Sequence, residues 1–223
     1  MELLEAIKNR HSVRNYLDKP IPESLVKQLQ EEVDACNQES GLHIQLVTNE
    51  PKAFDGMMAH YGKFSGVQNY IALIGKKGDN LEEEIGYYGE RVALKAQTLG
   101  LNTCWVAMTF SKGVTKKNCV IHQGEKLVCV LSLGYGKTQG VPHTSKSLET
   151  LCSVPGDMPK WFRNGMEAAL LAPTASNQQK FFLTLKDDTV SIKSLGGFYS
   201  KVDLGIIKYH FEVGTEHHPF SWS

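Results

Sequence analysis

Apolar residues recur along the chain with two periods. Leu3, Leu4 and Ile7 fall at helical spacing over 2–9. Pro22 suits the first turn of a second helix carrying Leu25, Val26, Leu29, Val33 and Ala35 to about Cys36, with Gly41 beyond it. Leu42, Ile44 and Leu46 alternate with polar positions, the pattern of a half-buried strand. Residues 51–66 read as irregular or partly helical, with Met57 and Met58 packing inward, and 70–74 as a buried strand. The longest helical pattern, 80–99, carries Leu81, Ile85, Tyr88, Val92, Ala96 and Leu99 and stops at Gly100. Gly86 and Gly89 share one of its faces; a glycine inside a helix costs about 1 kcal/mol against alanine, which implies that something packs there closely. Strands are expected at 101–110 and 126–133, with a short one at 120–121. A helix over 161–172 is stopped by Pro173, a hairpin at 180–185 and 189–193 turns at Asp187-Asp188, and a last helix covers 203–213. The pattern predicts an α+β fold, with mostly antiparallel, mixed sheets packed with helices.

Part of the pattern repeats. Glu84-Ile85-Gly86-Tyr87-Tyr88 is echoed by Asp203-Leu204-Gly205-Ile206-Ile207, and each run leads to a tryptophan, Trp105 or Trp222. Upstream of each lies an amphipathic helix and a strand, at 22–47 and 159–185. Order as well as residues recur, so the chain is expected to be one unit, 1–223, with pseudo-repeat halves of about 1–137 and 158–223 joined by a loop at 138–157. Chance recurrence of an acidic-apolar-glycine run is the alternative.

Lysine plus arginine and aspartate plus glutamate each total 24 among 223 residues, so no net charge draws the chain toward nucleic acid or an anionic membrane. Five cysteines form no CxxC pair, which favours reduced thiols and a cytoplasmic location. The opening residues lack the apolar core of a signal peptide, and no apolar run reaches membrane-spanning length.

Two stretches carry candidate chemistry. Arg10-His11-Ser12-Val13-Arg14 leaves the first helix toward Pro20 and Pro22; if extended, it projects Arg10, Ser12 and Arg14 together. Two planar guanidiniums and a hydroxyl match phosphate oxygens, although a solvated basic turn has the same composition. Ala172-Pro173-Thr174-Ala175-Ser176-Asn177-Gln178-Gln179 is uncharged and rich in hydroxyl, amide and exposed backbone groups, which can meet the edge of a flat heterocycle or simply form a helix-to-strand turn. There is no GxGxxG or Walker loop, and no Ser-His-Asp or Cys-His arrangement stands out. His217-His218, near the end of the sequence, reads as surface rather than metal site, and Cys104 as core.

Taken together these stretches resemble the FMN-dependent nitroreductase family. Arg10–Arg14 is similar to its Arg-x-Ser-x-Arg/Lys signature, and 172–179 to its Ala-Pro-Ser-x-x-Asn-x-Gln loop. Leu99–Val106 is similar to the Gly-Leu-Gly-Ser-Cys-Trp-Ile segment, and Leu131–Lys137 to the late Gly-Tyr strand end. The order departs from the family: the Pro-Ser-x-x-Asn loop normally follows the second helix, where this chain has Cys36–Gly41, and Lys180 replaces the usual proline after the glutamine. Family members are usually homodimers with FMN at the interface, and the chain resembles a subfamily in which two units are fused and one site is kept.

The resemblance implies roles. Arg10 and Ser12 would hold the FMN phosphate with His11 backbone contacts, and Arg14 would lie near the ring N1 and C2 carbonyl. Ala107 and Met108 would offer backbone N–H groups to N5 and O4. Lys137 or Lys146 would complete the phosphate cage, unless each is a solvated surface lysine. Pro173, Thr174, Ala175 and Asn177 would meet the ring and ribityl chain. The implied function is hydride transfer from NAD(P)H through FMN to a nitroaromatic, quinone or similar small-molecule acceptor, in a monomeric pseudo-dimer or a homodimer, with no catalytic side chain and no metal. A non-catalytic or storage flavoprotein, or a binder of another phosphorylated ligand, are the alternatives.

Overall fold

The computed structural model describes residues 1–223. The first part of the chain forms α1 (Leu3–Asn9), α2 (Glu23–Ser40), β1 (Gln45–Val47), α3 (Met57–Tyr61), β2 (Asn69–Lys76), α4 (Leu81–Thr98), β3 (Asn102–Val106), α5 (Lys112–Asn118) and β4 (Glu125–Gly134). The second part forms β5 (Cys152–Ser153), α6 (Lys160–Ala169), β6 (Phe181–Lys186), β7 (Thr189–Ser194), α7 (Ser200–Gly214) and β8 (Ser221–Trp222). The first sheet has the order β1-β2-β4-β3, antiparallel throughout. The second has the order β5-β6-β7-β8, with an antiparallel β6–β7 hairpin and parallel pairings at both edges. The fold is α+β with antiparallel and mixed sheets.

The unbroken apolar run of β2 follows from burial on both faces. Ile71 and Leu73 join the main core with α2, α4, α6 and α7, while Tyr70, Ala72 and Ile74 face a second cluster containing Phe54, Phe64 and Phe110. Gly41 ends α2 in the left-handed region, at φ +72°.

The repeated glycines meet. A Cβ on Gly86 would run into the carbonyl oxygen of Val202, and one on Gly205 into that of Glu83. Each blocked oxygen lies three residues before the opposite glycine, so α4 and α7 cross backbone to backbone in a reciprocal manner. Gly89 serves another neighbour: its open side is filled by Trp105 and Leu73.

Three expectations are corrected. Met57 and Met58 are 84% and 49% exposed, because the short α3 buries Ala59 instead. Residues 120–121 form no strand; the Gln45 side chain takes both the N–H and the carbonyl of Val120. The strand expected over 101–110 stops at Val106, and α5, with few apolar positions to betray it, starts soon after under a Ser111 cap that accepts from the Val114 N–H.

Candidate functional site

A cavity of about 510 Å³ opens between the two parts of the chain. That is within the usual range for small-ligand pockets, about 300–1,000 Å³. Arg10, His11, Ser12 and Arg14 line one wall, Trp105, Ala107 and Met108 the floor, and Pro173, Thr174, Ala175, Ser176 and Asn177 the other wall.

The first wall is an extended segment pinned by sheet-like bridges. Ser12 pairs with Thr103, Asn15 with Ser65 and Tyr16 with Gly136. Val13 points into the core and its N–H bonds the Thr103 carbonyl at 3.1 Å, while the Tyr16 hydroxyl contacts Ser132 at 2.7 Å. Arg14 remains exposed, with its guanidinium 5.9 Å from the centre of the Phe64 ring. Arg10 is only 3% exposed; its Nε lies 3.3 Å from a Glu90 oxygen, yet neither Nε nor Nη1 completes a hydrogen bond. Burial, and then the charges of Arg10 and His143, hold the His11 imidazole below its ordinary value.

At the floor, no hydrogen bond within the chain uses the backbone N–H of Ala107 or Met108. Burial raises the Cys104 thiol, which makes it inert core despite its place on the lining.

The second wall is a tight turn with Ser176, Asn177 and Gln179 in the left-handed region, at φ 51°, 53° and 45°. Such conformations cost about 1–3 kcal/mol each and persist where surrounding bonds over-determine them. Those bonds come from distant residues. Asp203 accepts from the Ala175 N–H at 2.9 Å and from Gln178 Nε2 at 2.7 Å. Lys146 Nζ donates to the carbonyls of Gln178 and Gln179 at 3.1 and 3.0 Å, and Asn177 Nδ2 to that of Thr144 at 3.0 Å. Burial pushes the Asp203 carboxyl up to about 6, against the two hydrogen bonds. Tyr199, also on the lining, enters α7 at φ 52°.

A further cluster lies away from the cavity, beside β1 and β4. His43, His122 and Glu125 place ligand atoms within 4.8 Å of one another. The two rings, however, stack with centroids 5.0 Å apart and planes 5° from parallel. Glu125 Oε2 is already engaged by His43 Nδ1 at 3.0 Å and by the His122 backbone N–H at 2.7 Å.

The comparisons with known proteins agree with this architecture. A family profile described as "Putative TM nitroreductase" matches residues 2–215. The chain belongs to this nitroreductase family. A crystal structure titled as a putative nitroreductase from Thermotoga maritima is 24% identical, with a TM-score of 0.65 over 96% of this chain and 83% of that one. A putative nitroreductase in complex with FMN from Desulfovibrio desulfuricans is 16% identical, with a TM-score of 0.55 over 71% of this chain and 98% of that one. A protein titled as a putative NADH dehydrogenase/NAD(P)H nitroreductase from Parabacteroides distasonis is 20% identical, with a TM-score of 0.53 over 67% and 95%. At these identities the likeness shows a nitroreductase fold. No curated protein matches the sequence.

The structure brings most of the sequence-derived site residues of this family member to one cavity. Lys137 and Lys146 are not among its lining residues. Lys146 Nζ instead donates to two of the turn's carbonyls. Lys137 is exposed, and its backbone N–H bonds the Asn15 carbonyl, next to the first wall, at 2.8 Å. Sequence reasoning missed Tyr199 and the wall-building role of Asp203, although Asp203 stands in the repeated run.

Proposed function

We propose that the chain is an FMN-dependent oxidoreductase that passes hydride from NAD(P)H through flavin N5 to a nitroaromatic, quinone or similar small acceptor. The observation that carries this reading is the meeting of the Arg10–Arg14 segment and the Pro173–Asn177 turn across one cavity, with the Ala107 and Met108 backbone N–H groups unused between them. Family membership and the FMN complex of the Desulfovibrio relative support it.

The residues fit the cofactor. Arg10, Ser12 and Arg14 would bind its anionic parts through charge-assisted and hydroxyl hydrogen bonds. The free N–H groups of Ala107 and Met108 would orient the ring from the floor, and Pro173, Thr174, Ala175 and Asn177 would cover it from the neutral wall. FMN, when bound, supplies the two-electron chemistry. The chain's part is to bind, orient and exclude water, and no side-chain nucleophile is required. The turn is held rigid before any ligand arrives, so less ordering is needed on binding.

Both walls come from one chain, which supports a fused pair of units, 1–137 and 158–223, with one complete site per chain and a monomer sufficient for activity. The reciprocal crossing of Gly86 and Gly205 supports the same duplication. All five cysteines are free, in keeping with a reducing cytoplasm. No helix is long and apolar enough to cross a membrane.

The test is to load purified protein with FMN, remove the excess, and follow oxidation of NADH and NADPH with a quinone or nitroaromatic added. Retained flavin and acceptor-dependent oxidation are expected. Retained flavin without turnover would favour a storage role, and failure to take up FMN would overturn the reading.

A further inference from the structure

Behind the first wall lies a buried ionic group that the scheme above does not use. Glu90, on α4, is fully buried; its Oε2 accepts from Trp105 Nε1 at 2.7 Å and its Oε1 faces His210 Nε2 at 2.9 Å. His210, on α7, is also fully buried, and its Nδ1 lies 3.0 Å from the Ala168 carbonyl oxygen. One proton therefore lies in the short Glu90–His210 contact, and a second joins His210 Nδ1 to the Ala168 carbonyl. Burial works to raise the Glu90 carboxyl, but Arg10, His210 and Trp105 together hold it below the usual carboxylate range. With that one proton Glu90 and His210 are neutral as a pair, so the Arg10 guanidinium is left without a full counter-charge in the buried group. An uncompensated buried charge is costly, and it persists where something else neutralises it. The two buried Arg10 nitrogens without a hydrogen bond belong to a residue on the cavity lining.

We propose that Glu90 and His210 are positioning residues that keep Arg10 an under-neutralised cation on the cavity wall, a seat completed only by an anion bound in the cavity. The inference rests on the FMN reading for the anion's identity, but the charge imbalance is a property of the empty protein. Glu90 sets the guanidinium's place without cancelling the group's charge. His210 engages the same Glu90 oxygen that faces Arg10 and links the seat to α7, the helix whose Asp203 holds the opposite wall.

Two measurements test this. The first needs no flavin. Removing the surplus cation in Arg10→Met should raise the melting temperature of the apoprotein, whereas a merely structural arginine would lower it on removal. A lowered melting temperature overturns the proposal whether or not FMN is the ligand. The second compares the dissociation constants of oxidised and reduced FMN. His210→Gln keeps a donor to Glu90 and removes the proton the pair shares, leaving the carboxylate to cancel Arg10, so the preference for the more negative reduced form should fall about tenfold, about 30 mV in a two-electron potential. Glu90→Gln should shift the same ratio the opposite way; if it does not fold, His210→Gln alone decides. A changed melting temperature with an unchanged ratio would assign both residues to packing and overturn the proposal. Failure of the wild type to bind FMN in either state would instead defeat the FMN reading and leave the Arg10→Met result to judge the seat.

Discussion

The two walls of the cavity are built in opposite ways. The Arg10–Arg14 wall is cationic and takes its register from the backbone, through bridges from Ser12 to Thr103 of β3 and, just beyond it, from Asn15 to Ser65 and Tyr16 to Gly136. The Pro173–Asn177 wall is uncharged, strained and held by side chains from elsewhere, chiefly Asp203 and Lys146. An extended segment can borrow order from a neighbouring sheet. A tight left-handed turn has no ladder to join, so each N–H and carbonyl needs its own partner.

The α4–α7 crossing joins the walls, and breaking it should harm both at once. Gly205→Ala puts a methyl against backbone that cannot yield, at a cost of about 3 kcal/mol or more. For a chain of this size that is a fall of ~6–12 °C in Tm, measurable by calorimetry. An unchanged Tm would mean that the crossing is loose and the walls independent.

Asp203 separates the walls by pH. Its folded value of about 6 lies above the ordinary 3.8, so the folded chain holds this proton more tightly than the unfolded chain. Its contribution to stability is complete below about 3.8 and is lost as pH rises through about 6. At about 1.4 kcal/mol per unit the loss is roughly 3 kcal/mol. In Asp203→Asn, chemical denaturation at a series of pH values should show this decline flattened. An identical slope would move the titration to another group.

Arg10→Ala should weaken FMN binding by about 1.5–3 kcal/mol, the range for a hydrogen bond to a charged group, as read by fluorescence titration. Lys146→Met should cost about 1 kcal/mol or less in the same titration, because it loosens the turn without removing a ligand contact. A Lys146 effect as large as that of Arg10 would return the lysine to the phosphate site.

The asymmetry also explains what was legible in the sequence. Arg10, Ser12 and Arg14 lie within five residues, and alternation alone brings them to one wall. The long helix and the buried strands had strong periods and appear close to their expected places. The partners of the second wall are scattered from Thr144 to Asp203, and no local pattern ties a lysine at 146 to carbonyls at 178 and 179. Glu90 and His210 were hidden for a similar reason. Each sits in a helical run where a polar residue reads as solvent-facing, and only the crossing of α4 and α7 turns both inward.

That crossing has a consequence for a chain that has been cut. The link from Thr138 to Ser147 runs outside both sheets, and Val141 is 79% exposed, which offers a protease an accessible stretch. Cleavage there would sever the covalent path and leave α4 locked against α7. The two pieces should migrate together on a sizing column and part only in denaturant, so the protein lends itself to split-fragment complementation.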